Sequence, residues 1–161
     1  LVAPGSSLFP QSQILRGEIA VGRAHQRFED GSLPGIDGII LDANLAWRMS
    51  GLTSLLFTAK SDIGESTLAG SGGGLSQTVG AELRHAFRRD VIGTAGVTLS
   101  KQDYEGIALN ERSITGLAGL EYFVNREVTL FGRYQHIDFE STDMARNYNA
   151  DEVRVGVRVR R

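Results

Sequence analysis

Three histidines and several carboxylates are the side chains of this sequence that could carry catalysis or bind a metal. His25, His85 and His136 lie far apart, without the HxH or HExxH spacing that would place two imidazoles on one metal ion. No GxSxG elbow presents a serine as a nucleophile. Asp42 and Glu82 could act as an acid and a base, although ion pairing explains them more simply. The sequence therefore predicts no catalytic residues, no metal site and no cofactor.

The glycine-rich segment Gly64–Gly74 could be mistaken for a phosphate-binding loop, since it ends in Gly-Ser-Gly-Gly-Gly. A phosphate-binding loop of the P-loop type has the pattern GxxxxGK[ST] and opens a helix. Here that pattern is missing, and an alternating strand pattern follows the glycines. We expect a flexible connection at this point.

Composition narrows the function classes. The chain has 161 residues, no cysteine and a formal net charge of -2, so disulfides and Cys-based zinc sites are excluded and nucleic acid is not an expected partner. No run of about 18 apolar residues predicts a transmembrane helix, but strands can hide lipid-facing residues at every second position. Because the sequence starts at Leu1, we interpret it as a processed or truncated product. Residues 1–12 are predicted as a lead-in and residues 13–161 as one domain.

Period-two alternation is the dominant pattern, and it is clearest in Leu117–Asp138. Apolar and polar residues alternate on both sides of Asn125-Arg126, which is typical of a β-hairpin. No segment favours a helix. The predicted strands are Gln13–Glu29, Gly38–Met49, Leu52–Ile63, Leu75–Arg88, Val91–Tyr104, Glu111–Val124, Glu127–Phe139 and Asp151–Arg160.

The connections between these strands predict how the sheet is arranged. Those at Ser50, Arg89 and Asn125 are short, whereas those at Asp30, Gly64, Glu105 and Glu140 are predicted to be longer. Short turns at one end and longer loops at the other are typical of outer-membrane barrels. The strands also match the roughly 9–11 residues that cross a bilayer at a tilt. We therefore predict an all-β, antiparallel up-and-down transmembrane β-barrel with eight strands in this chain, either a closed small barrel or the C-terminal part of a larger one.

Each predicted strand has a polar and an apolar face. Charges of both signs on the polar faces can be satisfied by pairing and water inside a barrel lumen. The residues predicted to line that lumen are Arg16, Glu18, Asp42, Arg48, Lys60, Asp62, Glu82, Arg84, Glu121, Arg133, Arg154 and Arg158. The aromatic residues predicted for a membrane interface are Trp47, Phe87, Tyr122 and Tyr134.

The same amphipathic strands are compatible with a different class of protein. In a soluble, lipocalin-like carrier the apolar face points inward around a small apolar ligand and the charges lie in water. A third and weaker hypothesis is an outer-membrane enzyme with an active site at the barrel rim. Extraction behaviour discriminates the first two hypotheses, because a membrane barrel requires detergent.

The C-terminal third resembles a known family. From Gly119 the sequence runs Gly-Leu-Glu-Tyr-Phe-Val-Asn-Arg-Glu-Val-Thr-Leu-Phe-Gly-Arg-Tyr, and Asp138-Phe-Glu-Ser-Thr-Asp follows. The ending is Tyr148-Asn-Ala-Asp-Glu-Val-Arg-Val-Gly-Val-Arg-Val-Arg. Together these segments resemble the end of the putative β-barrel porin 2 family, outer-membrane proteins of Gram-negative bacteria.

The resemblance implies a bacterial outer-membrane barrel or pore without catalytic residues. The implied partners are outer-membrane lipid and the barrel-assembly machinery or polysaccharide-export components. Barrel size then decides the role of the charges. An eight-stranded barrel has an interior that side chains fill, whereas about 16 strands leave an aqueous channel. The predicted function is accordingly structural or that of a passive, porin-like channel.

Overall fold

The computed structural model describes residues 15–26, 36–64 and 73–160, which form one antiparallel sheet of eight strands. Each strand pairs with the next one along the chain. The strands are β1 Leu15–Gln26, β2 Ile36–Arg48, β3 Thr53–Gly64, β4 Gly73–Ala86, β5 Val91–Glu105, β6 Asn110–Phe123, β7 Val128–Ser141 and β8 Tyr148–Val159. The predicted all-β, up-and-down arrangement is confirmed. Within the described residues β1 and β8 do not pair with each other, so closure into a barrel stays a prediction.

The prediction of strands without any helix needs a small correction. A single 3-10 turn, Met144–Arg146, interrupts the connection between β7 and β8. The Asp143 side chain begins it by accepting a hydrogen bond from the Ala145 backbone N–H, at 3.2 Å. Asp favours such local side chain to backbone bonds, but one turn is too short to show a helical period. The predicted lead-in at residues 1–12 and the loop at residues 30–35 lie outside the described residues, as do residues 65–72 of the predicted glycine-rich connection.

The connections differ from the prediction at one position. Residues 49–52, 87–90 and 124–127 form the predicted short turns, but residues 106–109 make a connection of the same length where a longer loop was expected. Gly106 has φ 91°, a left-handed conformation that glycine adopts without steric cost and that permits a tight reversal. The Tyr104 backbone N–H then donates to the Leu109 carbonyl at 3.2 Å, which closes this turn.

The strand register sorts the alternating side chains onto two faces of the sheet. The face that carries Asp42, Lys60 and Glu82 is here named the charged face, and the opposite face the apolar face. The register places the residues of the apolar face in rows that cross the strands. One such row consists of Ile19, Ala43, Ala59, Val79, Leu99 and Ile114. Because the side-chain period is two, a slip of one residue would exchange the faces.

The apolar face remains largely exposed. Among the described residues only Ala43 and Ala59 are buried hydrophobic side chains, and they face each other across β2 and β3. Large exposed side chains on this face are Ile19, Val21, Ile39, Trp47, Phe57, Val79, Leu83, Val97, Leu99, Ile114, Leu120, Tyr122, Leu130, Tyr134, Val153, Val155, Val157 and Val159. A single soluble chain rarely exposes an apolar surface that spans a whole sheet.

Candidate functional site

The charged face is the candidate functional site, because all twelve residues predicted to line a lumen lie on it. The register carries this face from Arg16 on β1 to Arg158 on β8 without interruption. Apolar side chains also lie on this face, among them Leu56, opposite Ala46 and Glu82, and Leu117, opposite Gly96 and Gln135. The structure therefore places the twelve residues on one face, whereas their role in lining a lumen stays a prediction.

A triad of ions connects three strands at the short-turn end of the charged face. The Arg84 guanidinium donates to Glu121 Oε2 at 3.0 Å, and the Arg158 guanidinium donates to Glu121 Oε1 at 3.2 Å. Arg84, Glu121 and Arg158 lie on β4, β6 and β8, so each ion pair passes over an intervening strand. Side chains of this face thus converge above the sheet. The Glu121 carboxylate binds two guanidinium groups with its two oxygens.

Arg158 is held from a second side by an aromatic ring. Its guanidinium carbon lies 5.4 Å from the centre of the Phe131 ring, a cation–π geometry. Phe131 in turn lies over Gly156, where an added Cβ would come within 2.6 Å of the ring. The missing side chain at position 156 therefore leaves room for the ring that contacts Arg158.

Arg133 and Arg154 occupy the neighbouring part of the charged face. They are directly opposite each other in the pairing of β7 with β8. Arg154 forms an ion pair with Glu152 on its own strand. Within the part of the chain that the structure describes, Arg133 has no carboxylate partner. On its other side, the β6 residue in register with Arg133 is Gly119, which has no side chain.

A cavity of about 240 Å³ opens above this region. The residues that line it include Glu82, Arg84, Gly119, Glu121, Arg133, Arg154 and Arg158. A second cavity of about 270 Å³ lies beside it over Gly80 and Gly96, and Arg133 lines this cavity as well. Four arginines and two glutamates, Glu82 and Glu121, line the first cavity, so positive charge is in excess there, and glycines leave space beside it.

Another ion network lies toward the other end of β6, and sequence analysis did not identify it. Arg146 pairs with Glu111 Oε1 at 2.7 Å, and the Tyr104 hydroxyl donates to Glu111 Oε2 at 3.2 Å. The Glu111 side chain is only 11% exposed. Arg146 comes from the 3-10 turn, so no strand alternation could indicate its position. The sequence signal that could have indicated this network is Glu111, the acidic residue at the start of predicted strand six.

The remaining predicted lumen residues are less connected. Lys60 and Asp62, two residues apart on β3, form an exposed ion pair at 3.6 Å. Glu82 on β4 lines both cavities and forms no ion pair with a described residue. The other four lie toward the β1 edge of the sheet and form no ion pair with a described residue either. They are Arg16, Glu18, Asp42 and Arg48.

Three of the four aromatic residues predicted for an interface lie at the short-turn end of the apolar face. Trp47 and Tyr122 are 42% and 43% exposed. The Phe87 ring packs edge-on against His85, with 4.9 Å between ring centres, and covers Gly93. Tyr134 instead lies near the middle of β7 (Val128–Ser141).

Polar side chains lie on the apolar face at the end away from the short turns. The Tyr134 hydroxyl donates to Asp151 Oδ1 at 2.6 Å, and His136 Nδ1 lies 2.8 Å from the same oxygen. Lys101 pairs with Asp103 at 2.7 Å on β5. The two ends of the apolar face therefore differ, with aromatic rings at one and ion pairs at the other.

The histidines are not gathered into one site. His85 Nδ1 lies 2.8 Å from the Thr53 hydroxyl, far from the His136–Asp151 pair. Among residues 15–26, 36–64 and 73–160, no three His, Asp or Glu side chains are grouped so as to hold a metal ion. The same residues include no helix that is long and apolar enough to span a membrane.

An up-and-down antiparallel sheet with one charged and one exposed apolar face is the arrangement from which β-barrel walls are built. Comparison with known families agrees: the family model described as putative β-barrel porin 2 matches residues 2–161. The chain belongs to this family, which confirms the resemblance in the C-terminal third and extends it to almost the whole sequence. The family is porin-like, which indicates a non-enzymatic protein. No curated protein matches the chain.

Proposed function

We propose that this chain forms part of the wall of an outer-membrane β-barrel that acts as a passive pore, with the charged face lining a water-filled lumen. The observation that carries the proposal is the separation of the two faces over all eight strands. Charges converge on one face, and large apolar side chains lie exposed on the other. This is the arrangement that a barrel surrounded by lipid requires.

Exposure of the apolar side chains supports the orientation of the wall. On the charged face the side chains of Glu121 and Glu111 are 22% and 11% exposed, whereas those of Lys60 and Asp62 are 66% and 60% exposed. On the apolar face Val153 and Val155 are 73% and 77% exposed. A charged interior and an apolar exterior are opposite to a soluble barrel, where burial of the apolar side chains supplies most of the stability.

The height of the apolar surface also fits a bilayer. On β5 it runs from Val91 to Leu99 before Lys101 and Asp103 follow. Those residues span roughly 26 Å along the strand at about 3.3 Å per residue, and about 20 Å along the barrel axis at the usual tilt of about 40°. The apolar band of outer-membrane barrels is about 25 Å tall. Trp47 and Tyr122 lie near one border of this band.

The sheet edges support a wide barrel over a plugged one. In the described residues β1 and β8 each leave one edge unpaired. Lipid does not tolerate unpaired backbone donors and acceptors, so further strands, from a longer chain or another copy, would complete the wall. A barrel of more than about eight strands has room for water in its lumen.

Two single-cysteine variants test the orientation, because the natural chain has no cysteine. Val97 and Thr98 are neighbours on β5 and point to opposite faces. In lipid vesicles, an environment-sensitive fluorophore on Val97→Cys should be quenched by nitroxide-labelled lipid, and one on Thr98→Cys by a water-soluble quencher. A lipocalin-like carrier would instead stay soluble without detergent, with the label at position 97 protected from both quenchers.

Conductance tests the pore itself. The protein refolded in detergent, with folding checked by heat-modifiable gel migration, is added to a planar bilayer. We expect a steady open current. Folded, inserted protein without any conductance would contradict the pore and indicate a closed barrel filled by its own side chains.

A further inference from the structure

We propose that Arg133, with Arg154 beside it, is a binding site for a carboxylate group of a passing solute. This inference deepens the proposed function, on which it rests, by assigning the charged face a class of substrate: small carboxylate-bearing anions.

The first step is the imbalance of charge at the β7–β8 pair. Arg133 and Arg154 are directly opposite each other, and like charges in this position repel. Glu152 pairs with Arg154, whereas Arg133 lacks a carboxylate partner among the described residues. An anion between the two guanidinium groups would remove the repulsion.

The second step is space. Arg133 lines three cavities on the charged face, of about 240, 270 and 40 Å³, and the carboxylate Glu82 lines the first two as well. Gly119 lies directly opposite Arg133 on β6, and Gly96 contributes to the floor of the cavity of about 270 Å³. The absence of side chains at these glycines leaves room for a ligand of a few heavy atoms beside the guanidinium.

The third step is an internal template. Glu121, two residues from Gly119 on β6, places one carboxylate between Arg84 and Arg158 at 3.0 and 3.2 Å. The same face thus already binds a carboxylate with two arginines from different strands. At Arg133 and Arg154 the chain again provides two arginines. The β6 residue opposite Arg133 is Gly119, which cannot supply a carboxylate. The guanidinium fork matches carboxylate oxygens, which favours this class of anion.

The test uses glucuronate as the probe and glucose as its uncharged counterpart. The refolded protein in detergent micelles is titrated while the side-chain Nε–H resonances of its arginines are followed by NMR. The Arg133 resonance is identified by its loss in Arg133→Gln. We expect that glucuronate, but not glucose, shifts it in a saturable way.

Three variants identify the site. Arg133→Gln, followed at the Arg154 resonance, should lower the apparent affinity for glucuronate about tenfold or more, because a charge-assisted pair is lost. Arg133→Lys should retain part of the affinity. Arg126→Gln removes an arginine from the short turn after β6, which lines none of these cavities, and should leave the affinity unchanged. No saturable shift in the natural protein, or an equal affinity in Arg133→Gln, would overturn the inference.

Binding in micelles does not depend on conductance, so the two proposals can fail separately. Protein that conducts but does not bind glucuronate keeps the pore and loses the site. Protein that binds glucuronate through Arg133 but never conducts keeps the site and loses the pore. When both hold, millimolar glucuronate should reduce the current of the natural pore more than that of Arg133→Gln.

Discussion

Residue chemistry on the charged face depends on pairing more than on composition. The Glu121 carboxylate pairs with two arginines, Arg84 and Arg158. The Glu111 carboxylate pairs with Arg146 and accepts a hydrogen bond from Tyr104. Arg133 lacks a carboxylate partner within the described part of the chain. The first two arrangements stabilise the sheet, since their charges are satisfied internally. The third leaves a charge free for a ligand, which is why the proposed binding site lies there.

Neutralising Glu121 should measure the contribution of the triad. In Glu121→Gln the repulsion between Arg84 and Arg158 is no longer screened, and we expect the free energy of unfolding to fall by about 1 kcal/mol, since the pairs are partly exposed. Urea titration in detergent micelles, followed by the fluorescence of the single tryptophan, Trp47, provides the measurement.

The control for that substitution is Asp62→Asn. Its ion pair with Lys60 is longer, at 3.6 Å, and both side chains are mostly exposed. We expect a change below about 0.5 kcal/mol. An equal effect of the two substitutions would show that the triad adds nothing beyond an ordinary surface pair.

At the scale of single elements, the short turns determine which strands pair. The turn after β6 depends on Asn125, whose side-chain oxygen accepts from the backbone N–H groups of Glu127 and Val128 at 2.8 and 2.7 Å. Ser50 does the same in the turn after β2, where its hydroxyl accepts from Leu52 and Thr53 at 3.2 and 3.1 Å. Such local bonds satisfy backbone donors that the ladder leaves free.

Replacement of Asn125 tests this contribution. Asn125→Ala removes the acceptor of two hydrogen bonds, and we expect the free energy of unfolding to fall by about 1 kcal/mol. Asn125→Asp retains an acceptor oxygen in the same position and should lose much less. The measurement is the same urea titration, and equal losses in the two variants would argue against a role for the side-chain oxygen.

The whole molecule is defined by its two edges. Each of the described inner strands has a neighbour on both sides, whereas β1 and β8 have one neighbour each. In water or micelles, the outward-pointing amides of these two strands are free to exchange with solvent. In a completed wall they would be hydrogen-bonded.

Hydrogen exchange followed by NMR measures the state of these edges. For this chain alone in micelles, we expect the outward amides of β1 and β8 to exchange at least about 100-fold faster than those of β4 and β5, because the latter open only with the sheet. The inward amides of β8, bonded to β7, serve as the control within the same strand. Protection of both edges in a monomer would mean that the chain closes on itself.

The sequence by itself determined the strands, the two faces and the family. A period of two is a local property, so alternation identified every strand within a few residues and placed all twelve charged residues on one shared face of the sheet. The length of the connection at Gly106 was wrong, because one left-handed glycine shortens a turn without changing the pattern around it.

Only the tertiary structure decided which charges meet. Arg84, Glu121 and Arg158 are far apart in sequence and come from alternate strands, so their contact depends on the register of four strand pairings at once. The same register placed Arg133 opposite Arg154 and beside Gly119. Long-range distances of this kind follow from the assembled sheet, whereas local periodicity records only which face each side chain shares.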